Sequence, residues 1–74
     1  MAPDTIPNYP AIIGRQAKKF RARAGMTQED VAERCGIFRT YLSRIELGKA
    51  NLTISVLTAL AQTLKVDVRE LLTD

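Results

Sequence analysis

The residues of this 74-residue chain best suited to recognition chemistry are hydrogen-bond donors between Arg39 and Ile45. Leu42 and Ile45 lie three residues apart and share one helical face, so Arg39, Thr40 and Arg44 fall largely on other faces. A guanidinium can donate two parallel bonds to guanine, and a threonine can address thymine or a phosphate through its methyl and hydroxyl groups. This combination of a polar side and an apolar underside is what insertion into the DNA major groove requires.

A second short helix must precede this one and join it at a glycine. Thr27 and Asp30 have capping-box spacing, which predicts a helix start. Gly36 predicts the helix end, because the steep change of direction often needs a positive φ, and Ile37 is then expected to fill the corner. A generic helical hairpin has the same features, so the turn alone leaves both interpretations open. The inner stripe of this helix comprises Val31, Ala32 and Cys35.

Another helix is predicted on the N-terminal side of this pair. The three prolines within residues 1–10 disfavour helix in the residues before them, so this segment is predicted to be an extended or flexible tail. From Ala11 the apolar spacing becomes helical, and Gly25 is expected to cap the end of this first helix. Its apolar stripe comprises Ile13, Ala17, Phe20 and Ala24.

Two helices are predicted on the C-terminal side, after Gly48 closes the third. Either Thr53 or Ser55 can start a fourth helix. Asp67 and Glu70 have capping-box spacing and predict a short fifth helix that continues to the end of the sequence at residue 74. The broad apolar face of the fourth helix comprises Val56, Leu57, Leu60, Ala61 and Leu64.

Length and composition fit this arrangement. Hydrophobic residues make up 46% of the chain and aromatic residues only 5%, which suits short helices that pack closely. A chain of 74 residues has room for one small core. We therefore predict an all-α fold, a compact five-helix bundle with a central helix-turn-helix, in one domain that spans residues 11–74.

The formal net charge is +3, and its excess lies near the N-terminus. Five basic residues there face only Asp4. Such an excess is compatible with a polyanionic partner, although solvated surface charges without any partner give the same pattern. The five basic residues are Arg15, Lys18, Lys19, Arg21 and Arg23.

Several function classes are disfavoured by what the sequence lacks. Cys35 is the only cysteine and there is no histidine, so neither an internal disulfide nor a zinc or His-ligated metal site is expected. Without a base partner for Cys35 or a glycine-rich phosphate loop, we predict no enzymatic activity, no cofactor and no small-molecule ligand. Neither a signal-peptide pattern nor an apolar run of membrane-spanning length is present, so a soluble cytoplasmic protein is expected.

Two blocks of sequence resemble a known family. TQEDVAERCG (residues 27–36) and RTYLSRIELGK (residues 39–49) are similar to the XRE family, which includes the Cro proteins and the lambdoid phage repressors. The resemblance extends from Ala11 to Leu72, since the family places one helix before this pair and two after it. Within the family, FRTYLSRIELGKANLTISVL is most similar to the controller proteins of restriction-modification systems and related stand-alone regulators.

The resemblance implies a role for each polar residue around the third helix. Arg39, Thr40 and Arg44 match the base-facing positions, although a solvated arginine or, for Arg44, a pair with an acidic neighbour is the alternative. Tyr41 and Ser43 flank this face, and each has three possible roles: a bond to the DNA backbone, a contact to a base edge, or local packing. We assign Tyr41 to the base contacts. The phosphate contacts are assigned to Gln28, Ser43, Lys49 and Asn51. The alternative for Gln28 is that it is merely a polar residue of the first helical turn, and the alternative for Lys49 and Asn51 is solvation in the loop.

Three further residues acquire expectations from the same resemblance. Arg21 and Glu46 correspond to a partly buried salt bridge that joins the first helix to the end of the third. Phe38 departs from the small polar residue often found at its position in phage repressors. It is expected either to contact a thymine methyl group or, as the preferred alternative, to pack against the turn.

These expectations combine into one functional prediction. The third helix, about residues 38–47, is predicted to enter the major groove of a palindromic operator in double-stranded DNA. One small module reads few base pairs, so the regulator is predicted to be a homodimer associated with the nucleoid. An antitoxin-type or coactivator-type module that binds another protein is the alternative. The dimer interface is assigned to Val66, Val68, Leu71 and Leu72, which otherwise complete the monomer core.

Overall fold

The computed structural model describes residues 6–74, which form five α-helices and contain no β-strand. This confirms the predicted all-α architecture. None of the helices in this part of the chain is long and apolar enough to cross a membrane. The helices are α1 (Tyr9–Arg23), α2 (Gln28–Cys35), α3 (Arg39–Glu46), α4 (Ile54–Leu64) and α5 (Val68–Leu71).

Helix α1 begins at Tyr9, two residues before the predicted start at Ala11. Asn8 caps it, because its Oδ1 accepts a hydrogen bond of 3.2 Å from the backbone N–H of Ala11. Pro10 lies within the first turn, where a missing N–H loses nothing because the first amides of a helix have no acceptor within it. The predicted extended tail was therefore wrong for residues 9–10, and its first five residues lie outside the described part of the chain.

Helix α2 is bounded by the two signals predicted from the sequence. The Thr27 hydroxyl accepts from the Asp30 N–H, and the Asp30 carboxylate accepts from the Thr27 N–H, both at 3.0 Å, which confirms the capping box. Gly36 ends the helix with φ of 72°, a conformation that a residue with a Cβ rarely adopts. The Ile37 N–H then donates back to the Ala32 carbonyl, and this bond fixes the direction in which the chain enters α3.

Helices α4 and α5 also begin at capped residues. Thr53, and not the alternative Ser55, caps α4 by accepting a hydrogen bond of 3.1 Å from the Val56 N–H. The capping box of Asp67 and Glu70 is confirmed. Helix α5 has only four residues and does not reach residue 74, and at its end the Leu72 N–H donates to the Arg69 carbonyl oxygen.

The core is shared by all five helices. Its largest fully buried members come from α2, α3, α4 and α5, and α1 adds Ile13, Ala17 and Phe20. Ala24, predicted to end the stripe of α1, is instead an exposed C-cap. The buried side of α3 packs into this shared core, and its opposite side stays exposed. The largest fully buried side chains are Leu42, Ile45, Leu60, Leu71 and Val31.

Helix α1 approaches α3 closely at Gly14. This glycine is buried, and a Cβ placed on it would overlap the Ile45 carbonyl oxygen and come within 3.0 Å of the Glu46 carbonyl oxygen. No side chain separates the two helices there, so backbone atoms set their spacing. The C-terminal end of α3 is therefore placed by Gly14, a residue outside the set of predicted site residues.

Candidate DNA interface

Helix α3 divides sharply into a buried face and an exposed face. Leu42 and Ile45 are fully buried, whereas Arg39, Thr40 and Arg44 are exposed. Tyr41 and Ser43 are half-buried on the flanks. Three of the four residues predicted to read bases therefore lie on the solvent side of one helix, above the apolar residues that hold it, and the fourth, Tyr41, lies on its flank.

A buried ion pair joins α1 to the end of α3. Arg21 Nε lies 2.6 Å from Glu46 Oε2, and Arg21 Nη2 lies 3.0 Å from Glu46 Oε1. Only 17% of the Arg21 side chain and 4% of the Glu46 side chain are exposed. The hydrogen bonds to Glu46 raise the pKa of Arg21 above its ordinary value despite some opposing desolvation. A third guanidinium N–H donates to the Met26 carbonyl oxygen at 3.0 Å, so this arginine also fixes the α1–α2 connection.

Gln28 continues this polar cluster towards the exposed face. Its Nε2 donates to Glu46 Oε1 at 3.0 Å, and its Oε1 accepts from Arg39 Nη1 at 3.4 Å. An unbroken series of hydrogen bonds therefore runs from Arg21 on α1 through Glu46 and Gln28 to Arg39. It joins the predicted structural pair, a predicted phosphate contact and a predicted base contact in one network.

At the other end of α3, side chains hold the loop that follows it. Arg44 Nη2 donates to the Lys49 carbonyl oxygen at 3.0 Å, and the Tyr41 hydroxyl donates to the Asn51 carbonyl oxygen at 3.3 Å. Arg44 thus bonds to the loop backbone, and within residues 6–74 it forms no ion pair with an acidic side chain, which was one alternative for it. Lys49 and Asn51 are themselves exposed residues of this loop.

The family of the chain follows from a match to residues 18–71, which fit the family model HTH_3, described as helix-turn-helix. The matched segment contains α2 to α5 complete, together with the part of α1 that carries Arg21. The chain belongs to this helix-turn-helix family. It is accordingly a transcriptional regulator with a helix-turn-helix DNA-binding domain, and the resemblance inferred from the two sequence blocks is confirmed.

Relatives with known names agree with this assignment. An uncharacterised HTH-type transcriptional regulator of Sinorhizobium fredii is 40% identical over 62 residues, which cover 84% of this chain and 80% of the relative. Control protein C.SmaI of Serratia marcescens is 36% identical over 62 residues, covering 84% and 74% of the two chains. The crystal structure of the restriction-modification controller protein C.AhdI from Aeromonas hydrophila matches with a TM-score of 0.80, 29% identity and coverage of 84% and 94%. The regulator is therefore related to controller proteins.

Phe38 occupies an unexpected environment in this helix-turn-helix. It is the N-cap of α3 without a side-chain capping bond, and it is 83% exposed. The preferred expectation that it packs against the turn was therefore wrong. Its ring instead borders an open surface groove between α2 and α3, which Glu29 and Glu33 also line. Ile37, its neighbour, packs partly against the core as predicted for the residue at the corner.

The basic residues near the N-terminus are less available than their number suggests. Arg15 pairs with Asp74 at 2.8 Å, and Arg21 is committed to Glu46. Lys19 and Arg23 lie over the Phe20 ring, at 5.0 and 5.3 Å from its centroid. The local charge excess is therefore weaker support for a polyanionic partner than the exposed face of α3.

The apolar residues assigned to a dimer interface do not share one environment. Leu71 is fully buried within the single chain, so its assignment to the interface was wrong. Val66, Val68 and Leu72 are half-buried and pack at the edge of the core. The sequence could not separate these cases, because burial of α5 depends on its contacts with α1 and α4.

Within residues 6–74, no three Cys, Asp or Glu side chains gather as a metal site would require.

Proposed function

We propose that the regulator inserts α3 into the major groove of a palindromic operator and reads base edges through Arg39, Thr40 and Arg44. The observation that carries this proposal is the division of α3 into an exposed polar face over the fully buried Leu42 and Ile45. A helix that presents arginine and threonine while its opposite side is fixed can bring donors to base edges without rearranging the core. Tyr41 contacts a neighbouring base edge from the flank.

Phosphate contacts then set the register of α3 on the duplex. Gln28 is the first residue of α2, where the unpaired amides and the positive end of the helix favour an anion. Lys49 and Asn51 lie on the loop that Arg44 and Tyr41 hold against α3. With Ser43 they place phosphate donors on both sides of the reading face, an arrangement that positions the protein without specifying sequence.

Phe38 is assigned a direct contact with DNA. Its exposed ring stands immediately before Arg39 at the start of α3. An apolar ring at this place can cover the C5-methyl group of a thymine, which is the apolar feature of the major groove. This is the alternative left for Phe38 now that packing against the turn has been ruled out.

Two copies of the chain bind the operator in this proposal. Val66, Val68 and Leu72 form the apolar surface of α5 and its preceding turn that meets a second copy, since each is only half-buried in one chain. A twofold dimer would place its two α3 helices in half-sites about 34–36 Å apart. We expect light scattering at micromolar concentration to give twice the monomer mass, and Val68→Glu to give the monomer. Gln62→Glu, a change at an exposed residue of α4, serves as the control that should leave the dimer intact.

Selection from a pool of randomised DNA duplexes tests the function directly. The wild-type regulator should enrich a palindrome, and Arg39→Ala should relax one or two positions per half-site at about 1–3 kcal/mol each. Lys49→Ala should instead weaken binding to all sequences alike and lower the salt slope by about 1. Lys18→Ala, on the exposed side of α1, is the control expected to leave the selected sequence unchanged.

A wild-type protein with equal affinity for every duplex would overturn this proposal. It would favour the protein-interaction module of the same fold that the sequence analysis kept as the alternative. Specific DNA binding would instead place the regulator in the cytoplasm, in association with the nucleoid.

A further inference from the structure

Glu46 receives more hydrogen bonds than a simple ion pair requires. Its carboxylate accepts from Arg21 Nε, from Arg21 Nη2 and from Gln28 Nε2, and its side chain is only 4% exposed. Gln28 in turn faces Arg39 with its oxygen. The buried carboxylate and the exposed reading arginine are therefore separated by a single amide group.

The chemistry of the two neighbours fixes the orientation of that amide. A carboxylate can only accept hydrogen bonds, and a guanidinium can only donate them. With Glu46 on one side and Arg39 on the other, the Gln28 amide has one favourable orientation, with its NH₂ towards Glu46 and its oxygen towards Arg39. The reverse orientation would set oxygen against oxygen and donor against donor.

We infer that Glu46 is a positioning residue for base recognition, because it orients the Gln28 amide that holds the Arg39 guanidinium at the start of α3. This inference rests on the proposed function and assigns Glu46 a second role besides its ion pair with Arg21. One Gln28 N–H donates to Glu46, and the other is left for a phosphate oxygen. The Gln28 amide then sets the register of α3 on the DNA through the phosphate and also holds the Arg39 guanidinium in position for its base.

A double-mutant cycle on DNA discrimination tests this role. Discrimination is the ratio of affinities for the selected duplex and for a duplex changed at the base pair read by Arg39. Glu46→Gln and Gln28→Met should each reduce this ratio by about tenfold, within the range of one base contact. In the Arg39→Ala background neither substitution should change it further, because the group being positioned is gone.

The cycle separates positioning from general structural damage. Loss of a phosphate contact lowers both affinities and cancels in the ratio, as the control Lys49→Ala should demonstrate. Should Glu46→Gln fail to fold, Gln28→Met still tests the inference, because it leaves the bonds between Arg21 and Glu46 in place. Equal fold-losses of discrimination with and without Arg39 would overturn the inference while leaving the regulator specific for its operator.

A measurement on the protein without DNA keeps the two proposals apart. The Gln28 side-chain amide resonances in a ¹⁵N-labelled protein should shift in Glu46→Gln and stay in place in Arg44→Ala, which lies outside the series of bonds. Unchanged resonances in Glu46→Gln would count against the inference. If the wild-type protein bound all duplexes alike, the proposed function would fail by itself, and these resonances would still report whether Glu46 orients Gln28.

Discussion

The two ends of α3 are fixed by different kinds of partner. At the N-terminal end, Arg39 is held through a glutamine and a buried carboxylate, all of them side chains from other helices or from the far end of α3. The loop that follows the C-terminal end is held by Arg44 and by Tyr41 from the first turn of α3, and both side chains donate to backbone carbonyl oxygens of that loop. Substitution can remove a side-chain acceptor but not a backbone carbonyl.

This difference determines how each end responds to change. Arg21, Glu46, Gln28 and Arg39 are linked by consecutive hydrogen bonds. A single substitution among them can therefore change the hydrogen-bond partners of the residues that follow it. The loop end has acceptors that persist in any variant that keeps the backbone in place, and the backbone leading into this loop, at residues 45, 46 and 48, lies against Gly14. We therefore expect substitutions between Arg21 and Arg39 in this series to have large effects that extend across the domain. Substitutions at the loop after α3 should have small and local effects.

The largest effect is expected from Arg21→Ala. Removing this guanidinium leaves the Glu46 carboxylate buried and uncompensated, which should lower the free energy of unfolding by about 3 kcal/mol. Chemical denaturation measures the loss. Arg15→Ala is the matched control, because its ion pair with Asp74 is more than half exposed on both sides and should contribute less than about 1 kcal/mol. Equal losses in the two variants would show that burial of the ion pair has no special weight.

A second substitution, Gly14→Ala, tests the backbone contact that places the other end. Its Cβ would overlap the Ile45 carbonyl oxygen, so α1 and α3 must separate at a cost of about 1–3 kcal/mol. The displacement should be visible as altered amide shifts from residue 45 to residue 51. Ala22→Ser, on the exposed side of α1, should stay within about 0.5 kcal/mol of wild type. A Gly14→Ala protein of unchanged stability would mean that side chains, not backbone, set this spacing.

Tyr41→Phe should have a smaller effect. It removes one exposed hydroxyl, whose 3.3 Å bond to the Asn51 carbonyl can be replaced by water, so the stability loss should stay below about 1 kcal/mol. Amide hydrogen exchange should quicken only in the loop after α3. If exchange quickened throughout α3 as well, the effect of removing the Tyr41 hydroxyl would extend beyond the loop, contrary to this expectation.

The smallest effect is expected from pH. The pKa of Asp30 lies below its ordinary value of 3.8, first because its carboxylate accepts the Thr27 N–H and then because of the Thr27 hydroxyl. The stability from this cap is fully present above 3.8 and is lost as pH falls through the lowered value in the folded state. Asp30→Asn should therefore lose less stability than wild type between pH 6 and the acid range, measured by thermal unfolding. A residual loss is expected in both, since the pKa of Asp67 is lowered too, by its bonds with Arg69.

Local signals predicted most of the fold. The capping residues Thr27 and Asp67, and the glycine at residue 36, act on amides within a few residues, so their spacing alone located the ends of helices. Features set by distant partners could not be predicted in this way. The burial of Leu71 and the exposure of Phe38 depend on how helices pack across the domain.

The candidate site was predictable in its residue types but not in its connections. The spacing of Leu42 and Ile45 was enough to place the arginines on the outer face of α3. The bond from Gln28 to Glu46 joins residues 18 positions apart, and the sequence carries no local signal for it. Gly14 had a weak signal, a glycine within a helical pattern, which often marks a close approach of two backbones.

The amide at Gln28 has a consequence for how this regulator could acquire a new operator during evolution. If residue 39 changed to glutamate to read a cytosine, its carboxylate would meet the Gln28 oxygen and be repelled. A lasting change of target would then require residue 28 to change as well, or Glu46 behind it. Thr40, which has no such neighbour among the described hydrogen bonds, could change alone. In descendants of this chain, residue 40 should therefore vary independently of its neighbours, whereas residues 28 and 39 should vary together.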